Sequence, residues 1–356
     1  MAFMLEENVK FELKISIVMP VYNTPIQFLQ EAVDSILGQS FEEYEFIIID
    51  DGSDGSVKDF LASLGDSRIR IIYNEANIGI TKSLNIGFRN AKGKYIARMD
   101  ADDISLPNRL KEQYIFMERH PDVIVCGAKT GPIDAKQRNQ TGRVKTEDME
   151  EYRVKMLFTN PGPFHPTAFF RHEILFQYNI LYNEKLYFSQ DYGMWEAISK
   201  FGKVCVFEDV LLLRRVHEGQ ISKAFRERQI QCDQMTQRKL LSELLGNISD
   251  KDMSMHYICS SGYYSDARIS PAIAKWYDKL LEANEQRSIY DKQKLKQYID
   301  RIKMRLIGQT FTASMPIAEK ILLYFRYFPF TQALAIIANI AIKKTLRKIN
   351  CPVFKD

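Results

Sequence analysis

Four short apolar runs, rich in β-branched and aromatic residues, alternate with segments of helical period in the first part of the chain: Ile15–Met19, Phe46–Ile49, Ile69–Tyr73 and Tyr95–Met99. Between the first two, Leu29, Ala32, Val33, Ile36 and Leu37 fall on one helical face, which Asn23-Thr24-Pro25 starts and Gly38 stops. A second helical pattern follows Gly79 (Ile80, Leu84, Phe88) and a third follows Pro107 (Leu110, Tyr114, Met117). Strands alternating with helices build βαβ units, so the spacing predicts an α/β fold with a mostly parallel sheet. In such sheets ligands bind beyond the carboxyl ends of the strands. Two of those ends carry acids, Asp50-Asp51 and Asp100-Ala101-Asp102-Asp103, and a third carries Pro20-Val21-Tyr22-Asn23.

The rest of the chain reads differently. Residues 131–160 are polar and weakly patterned, which predicts a loop or sheet edge. The Pro-rich stretch Asn160–Pro166 predicts an ordered turn, because proline interrupts a regular helix. Patterning resumes to about 215, and from about 225 onward the chain reads as mostly helical. With 46% hydrophobic and 26% charged residues, the composition is that of a folded protein and excludes wholesale disorder. A net charge of +4 is too small to imply nucleic-acid binding across the surface. That charge is concentrated: residues 320–355 hold seven Lys or Arg and no acid. Five scattered cysteines (126, 205, 232, 259 and 351) without a CxxC pair argue against a disulfide scaffold and for a reducing compartment. The acidic start MAFMLEENVKFELK does not resemble a secretory signal, so the expected location is cytoplasmic.

Asp100, Asp102 and Asp103 place three carboxylates within four residues, where they repel one another unless solvated or neutralised by a cation. Hard oxygen ligands on a short turn suit Mg²⁺ or Mn²⁺ bridging to substrate phosphates. A solvated acidic turn that caps the next helix would look the same; the preceding apolar strand run favours a site. Asp51 and Ser53, in Asp50-Asp51-Gly52-Ser53, sit at another strand end, where a carboxylate can accept from a base N–H or a ribose hydroxyl. An Asx-type turn is the bland alternative. Tyr22 can stack on a base or belong to the core.

Taken in order, the segments ISIVMPVYN, FIIIDDGS, NxGxxKSLNxG (77–87) and GKYIARMDADD (93–103) resemble the inverting glycosyltransferase family 2, with its GT-A fold. The resemblance continues through Pro107-Asn108-Arg109-Leu110, HPTAFFR (165–171), SQDYGMW (189–195) and RRVHEGQIS (214–222). It implies a Rossmann-like catalytic domain over 13–222 with a mixed, mostly parallel sheet. Residues 13–105 would bind the nucleotide-sugar and 106–222 the acceptor, followed by a helical region over 223–356. By position, the resemblance makes Pro20, Tyr22, Asn23, Asp51, Ser53, Lys82, Asp100, Ala101, Asp102 and Asp103 the donor-binding residues. Asp102 is then the metal ligand, with His217 able to complete the metal or diphosphate site, although a lone His is usually structural. Asp191 is implied as catalytic base. Its neighbour Gln190 replaces the Glu of many relatives, and capping of the helix that carries Trp195 is an alternative role for Asp191. His165, Arg171 and Trp195 would lie on the acceptor side.

The chemistry so implied is single-displacement transfer of one sugar from a nucleotide-sugar, a UDP-sugar in particular, to a glycan or polyprenyl-linked acceptor in bacterial surface polysaccharide synthesis, such as O-antigen or capsule. A divalent ion would stand at the diphosphate and one base at the acceptor hydroxyl. No QxxRW signature of processive synthases occurs. A sugar-phosphate nucleotidyltransferase would use metal and nucleotide too, but residues 15–30 lack its Gly-rich loop; a non-catalytic sugar-binding relative would have no need of Asp100, Asp102 and Asp191. Finally, Ile321–Ile342 is apolar-rich but broken by Arg326, Pro329, Thr331, Gln332 and Asn339, with Lys343, Lys344, Arg347 and Lys348 behind it. This pattern predicts peripheral binding to an anionic inner membrane face rather than a spanning helix. A buried helix pair is the alternative.

Overall fold

The computed structural model describes residues 11–133, 141–216, 226–260, 268–311 and 315–349. The chain parts into two compact units between Gln237 and Arg238, with Leu157–Thr159 counted to the second. The boundary expected at 222/223 lies outside the described residues.

The first unit is built on the strands β1 (Leu13–Val21), β2 (Tyr44–Asp50), β3 (Ile69–Tyr73), β4 (Gly93–Arg98), β5 (Ile104–Ser105), β6 (Val123–Pro132), β7 (Val144–Thr146), β8 (Phe169–Arg171) and β9 (Lys203–Arg214). They form one mixed sheet in the order β3-β2-β1-β4-β8-β6-β9-β5, with β7 on β9. The pairs β1–β2, β1–β4 and β2–β3 are parallel, as the βαβ spacing predicts. β8 runs antiparallel to both β4 and β6, which makes the sheet mixed. Every residue of β2 is buried, which is why Phe46–Ile49 is a continuous apolar run and not an alternating one. Full burial of Phe46, Ile47, Ile48 and Ile49 contributes roughly 1.5–3 kcal/mol for each side chain.

The helices α1 (Ile26–Leu37), α2 (Gly55–Ala62), α3 (Ile80–Asn90) and α4 (Arg109–Arg119) follow β1, β2, β3 and β5. Leu29, Ala32, Val33 and Ile36 are the buried positions of α1, as the i, i+3, i+4, i+7 pattern predicts. β1 pairs with β2 on one side and β4 on the other, so the strand order reverses there. Register puts Val21 opposite Asp50 and Val18 opposite Arg98, bringing the three motif-bearing strand ends to one edge.

One stretch departs from expectation. Within 131–160, read as loop or edge, β7 is indeed a short edge strand, but Met149–Phe158 forms a helix, α5. Its buried residues Tyr152, Val154, Met156, Leu157 and Phe158 spread over more than one face, so no single apolar stripe announced it. The 3₁₀ turn His165–Thr167, α6 (His172–Gln177) and α7 (Gln190–Ile198) complete this part. The helices α8 (Arg226–Leu245), α9 (Asp250–Ser260), α10 (Pro271–Arg287), α11 (Lys292–Thr310), α12 (Ile317–Tyr327) and α13 (Phe330–Ile349) make the predicted helical region, with α8 running through the boundary between the units. In the second unit Trp276, Tyr277, Leu280, Leu295 and Ile299 are buried, and Trp276 Nε1 lies 3.2 Å from His256 Nδ1. Among the described residues no helix is long and apolar enough to cross a membrane.

Candidate active site

β4 ends in Arg98, and the turn after it carries the acidic cluster. Asp100, Asp102 and Asp103 bring one carboxylate oxygen each to within 4.8 Å of one another. The Arg98 guanidinium, almost fully buried, forms an ion pair with Asp100 Oδ1. Its Nε and Nη1 are buried without a hydrogen-bond partner among the described residues. Burial raises the Asp100 pKa, an effect that Arg98 opposes and Asp102 reinforces. Asp103 is pushed up to about 8, first by burial and then by the charges of Asp100 and Asp102. Such crowding is what a divalent cation relieves, and an all-carboxylate set suits Mg²⁺ or Mn²⁺. The residues therefore fit the expected ion.

Arg215, which sequence reasoning passed over, fastens this turn from the end of β9. Its backbone N–H donates to Asp103 Oδ1 at 3.0 Å and its Nε to the Asp102 carbonyl at 3.0 Å. Its guanidinium also pairs with Glu31 and lies 4.1 Å from the centre of the Phe28 ring. Arg98 carried a sequence signal, a charge inside the apolar run Tyr95–Met99. Arg215 carried none beyond its place in Arg214-Arg215, because its partners are distant in sequence.

At the ends of β1 and β2, Asn23 adopts a left-handed conformation (φ 47°), and its N–H donates to Ser53 Oγ at 3.0 Å. Asn23 Oδ1 in turn accepts from the Asp54 N–H at 2.8 Å. The two motifs thus lock together. Asp51 is buried and its carboxylate accepts from Asn74 Nδ2 (2.8 Å), the Ile78 N–H (3.0 Å) and the Gly79 N–H (2.9 Å). It holds the loop leading into α3, whose first turn carries the half-buried Lys82. Asp50, treated by the sequence only as a neighbour, keeps Oδ2 buried and without a hydrogen-bond partner among the described residues. Tyr22 is half exposed, Pro20 is half-buried and Ala101 is buried.

Gly52 has φ +73°, and a Cβ there would stand 2.5 Å from the Ala76 carbonyl carbon. Gly52→Ala should therefore cost about 1–3 kcal/mol from left-handed strain alone, before the clash with Ala76 is added. Urea denaturation would measure it, and an unchanged midpoint would contradict this account of the turn.

Asp191 is the second residue of α7, while the N-cap position belongs to Ser189. Its Oδ2 accepts from Asn160 Nδ2 at 3.0 Å and its Oδ1 from the Tyr192 N–H at 2.8 Å. Burial raises its pKa; the hydrogen bond from Asn160 comes next and Arg98 acts the same way, both lowering it. The Asn160–Pro166 turn thus has a task, since it brings Asn160 to Asp191.

The three residues expected on the acceptor side are all buried. His165 Nε2 lies 2.8 Å from the Tyr182 hydroxyl, and burial, with Arg98 nearby, pushes its pKa well down, leaving a neutral imidazole. Trp195 stacks on Phe170 at 5.8 Å. Arg171 donates to the carbonyls of Val123, Met117 and His120 and to the Tyr95 hydroxyl, tying β8 to the end of α4 and the start of β6. His217 lies outside the described residues.

A family model described as glycosyl transferase family 2 matches residues 16–178. An uncharacterized glycosyltransferase of Methanocaldococcus jannaschii is 34% identical over 213 residues, which cover 57% of this chain and 70% of that protein. Among solved structures, S. aureus TarS (1–349) in complex with UDP-GlcNAc aligns with a TM-score of 0.54 at 18% identity, over 83% of this chain and 89% of that one. Mannosyltransferase PcManGT from Pyrobaculum calidifontis, in complex with GDP-Man and Mn²⁺, aligns with a TM-score of 0.51 at 15% identity, over 85% of each chain. The structural likeness shows a shared fold, the GT-A fold.

Proposed function

This chain belongs to glycosyltransferase family 2, and from that premise we propose that it transfers one sugar, with inversion, from a nucleotide-sugar to an acceptor hydroxyl. The observation that carries this reading is the joint placement of two acid centres. Asp100, Asp102 and Asp103 stand at the end of β4, Asp191 stands at the start of α7, and the Arg98 charge acts on both. The donor is a UDP-sugar in our reading, held by Pro20, Tyr22, Asn23, Asp51, Ser53 and Lys82 and by the acidic turn. Asp102, with His217, would hold a divalent ion, which when bound neutralises charge on the leaving diphosphate. The neighbours' complexes with UDP-GlcNAc and with GDP-Man and Mn²⁺ support this choice of ligands.

Asp191 then takes the proton of the acceptor hydroxyl as its oxygen bonds to the anomeric carbon. The bond from that carbon to the diphosphate oxygen breaks, and its electron pair leaves with the nucleoside diphosphate. Attack opposite the leaving group inverts the centre, and one base suffices. Carboxylates of the β4 turn stabilise the positive charge that develops on the sugar ring. The catalytic part is residues 13–222. Incubation with a panel of UDP- and GDP-sugars and Mn²⁺ should release nucleoside diphosphate. Pyrophosphate release from sugar phosphate and nucleoside triphosphate would instead identify a nucleotidyltransferase and overturn the proposal.

The acceptor is a glycan or polyprenyl-linked sugar of a bacterial surface polysaccharide, met at the inner face of the cytoplasmic membrane. Support comes from the helical region, where Ile317, Leu322, Phe330 and Leu334 are exposed on α12 and α13. Lys343, Lys344, Arg347 and Lys348 follow, with no acid between Glu319 and Asp356. Apolar side chains beside a basic segment suit an anionic membrane interface, where each Lys or Arg is worth about 1 kcal/mol. Full-length protein should float with anionic liposomes at low salt and less at high salt. Changing those four basic residues to Gln should remove roughly 4 kcal/mol of that attraction. Equal flotation of the two proteins at low salt would refute the surface.

A further inference from the structure

α8 brings a second carboxylate to the start of the helix that carries Asp191. Asp233 is buried, and its Oδ1 accepts a hydrogen bond from Ser189 Oγ. Ser189 occupies the N-cap position of α7, where a serine oxygen ordinarily accepts from the N–H groups of the first turn. Here its side chain makes no such cap. The hydroxyl of Ser189, two residues before Asp191 in the chain, is turned instead to Asp233. Among the described residues no Lys or Arg forms a salt bridge with Asp233, which is unusual, since a carboxylate is seldom buried without a cationic partner. If holding α8 on Ser189 were its whole task, an amide oxygen would serve without the cost of burying a charge.

We propose that Asp233 is a positioning residue for the transfer reaction: held by Ser189 at the head of α7, it sets a second negative charge beside Asp191 and strengthens that carboxylate as a base. This rests on the reading of Asp191 as the base. Among the described residues, Arg98 from β4 lowers the Asp191 pKa, while the Asp191 charge adds to the rise that burial imposes on Tyr152 and Tyr182. Both tyrosines stay neutral in the working range. Of the groups coupled to Asp191, Asp233 changes charge near neutrality, since burial raises its pKa to about 7, with Ser189 opposing and the Asp191 charge adding to the rise. The sign follows. Below about pH 7 Asp233 is protonated and leaves Asp191 the weaker base; above it the added negative charge makes Asp191 hold a proton more strongly.

The test uses the full chain and hydrolysis of UDP-GlcNAc or GDP-Man in Mn²⁺, whichever is consumed faster, with water as the acceptor. The wild-type turnover should rise through an inflection near pH 7. Asp233→Asn keeps an oxygen for Ser189 and should lack that inflection, remaining about 3- to 10-fold below wild type at pH 8, with unchanged melting temperature and donor affinity. Asp233→Glu should restore the inflection. An Asp233→Asn profile that superimposes on wild type, while Asp191→Asn is inactive, would overturn this inference alone. Full activity in Asp191→Asn would overturn the base assignment and this inference with it.

Discussion

Asp191→Asn should fold, bind donor as wild type does, and lose roughly 10²- to 10⁴-fold in turnover, the range a positioned general base contributes. The substitution is close to isosteric, but its local bonds must rearrange. Oδ1 accepts from the Tyr192 N–H and Oδ2 from Asn160 Nδ2, so an amide at 191 can satisfy only one of these two donors. A stability loss of about 1 kcal/mol is therefore expected and does not account for the loss of rate. Thermal melting and calorimetry with UDP separate the two effects. Because Ser189 holds the N-cap position, loss of turnover in a folded variant cannot be assigned to a lost cap. Turnover within a few-fold of wild type, measured with an acceptor that the wild-type enzyme uses, would remove Asp191 from the mechanism.

The second large effect concerns the turn after β4. Asp102→Asn should weaken Mn²⁺-dependent UDP binding and turnover together, by at least about ten- to a hundredfold, the loss that perturbing even the outer shell of a metal site produces. Asp100 is already paired with Arg98, and Asp103 is anchored by the Arg215 N–H. Both contacts are made to Asp100 and Asp103 themselves, so the turn should keep its conformation. The variant then tests charge and coordination rather than folding. Calorimetry with UDP, with and without Mn²⁺, reads the effect directly, and metal-dependent binding equal to wild type would displace Asp102 from the metal role.

The two sites were not equally legible in the sequence. The acidic turn was readable because its three carboxylates are local in the chain and follow an apolar strand, and proximity in sequence guarantees proximity in space. The same holds for Asp50 and Asp51 at the end of β2. Asp191 was placed, and read as the base with a helix cap as the alternative, only through the ordered series of motifs. The fold assigned the N-cap position to Ser189, Asn160 to its second oxygen, and Asp233 to the neighbourhood of its helix. Those partners lie 31 residues before Asp191 in one case and on a later helix in the other, beyond the reach of any local pattern. Arg171 was expected on the acceptor side from its motif alone; the fold turns its guanidinium to three backbone carbonyls and a tyrosine hydroxyl, contacts that no local pattern announces. α5 was missed because a helix buried on several faces loses the period that identifies a helix with one wet side.

By itself, then, the sequence determined the parallel βαβ half of the sheet, the strand ends that carry the acids and the helical character of the later chain. Each of these follows from periodicity or from residues that are neighbours along the backbone. Only the tertiary structure decided that Arg98 bears on Asp191, that Arg215 clamps the acidic turn, and that Asp51 holds the loop before α3. These are electrostatic and hydrogen-bonded contacts between distant segments. Their strength comes from burial, and burial is a property of how the sheet and helices pack, which no stretch of sequence contains alone.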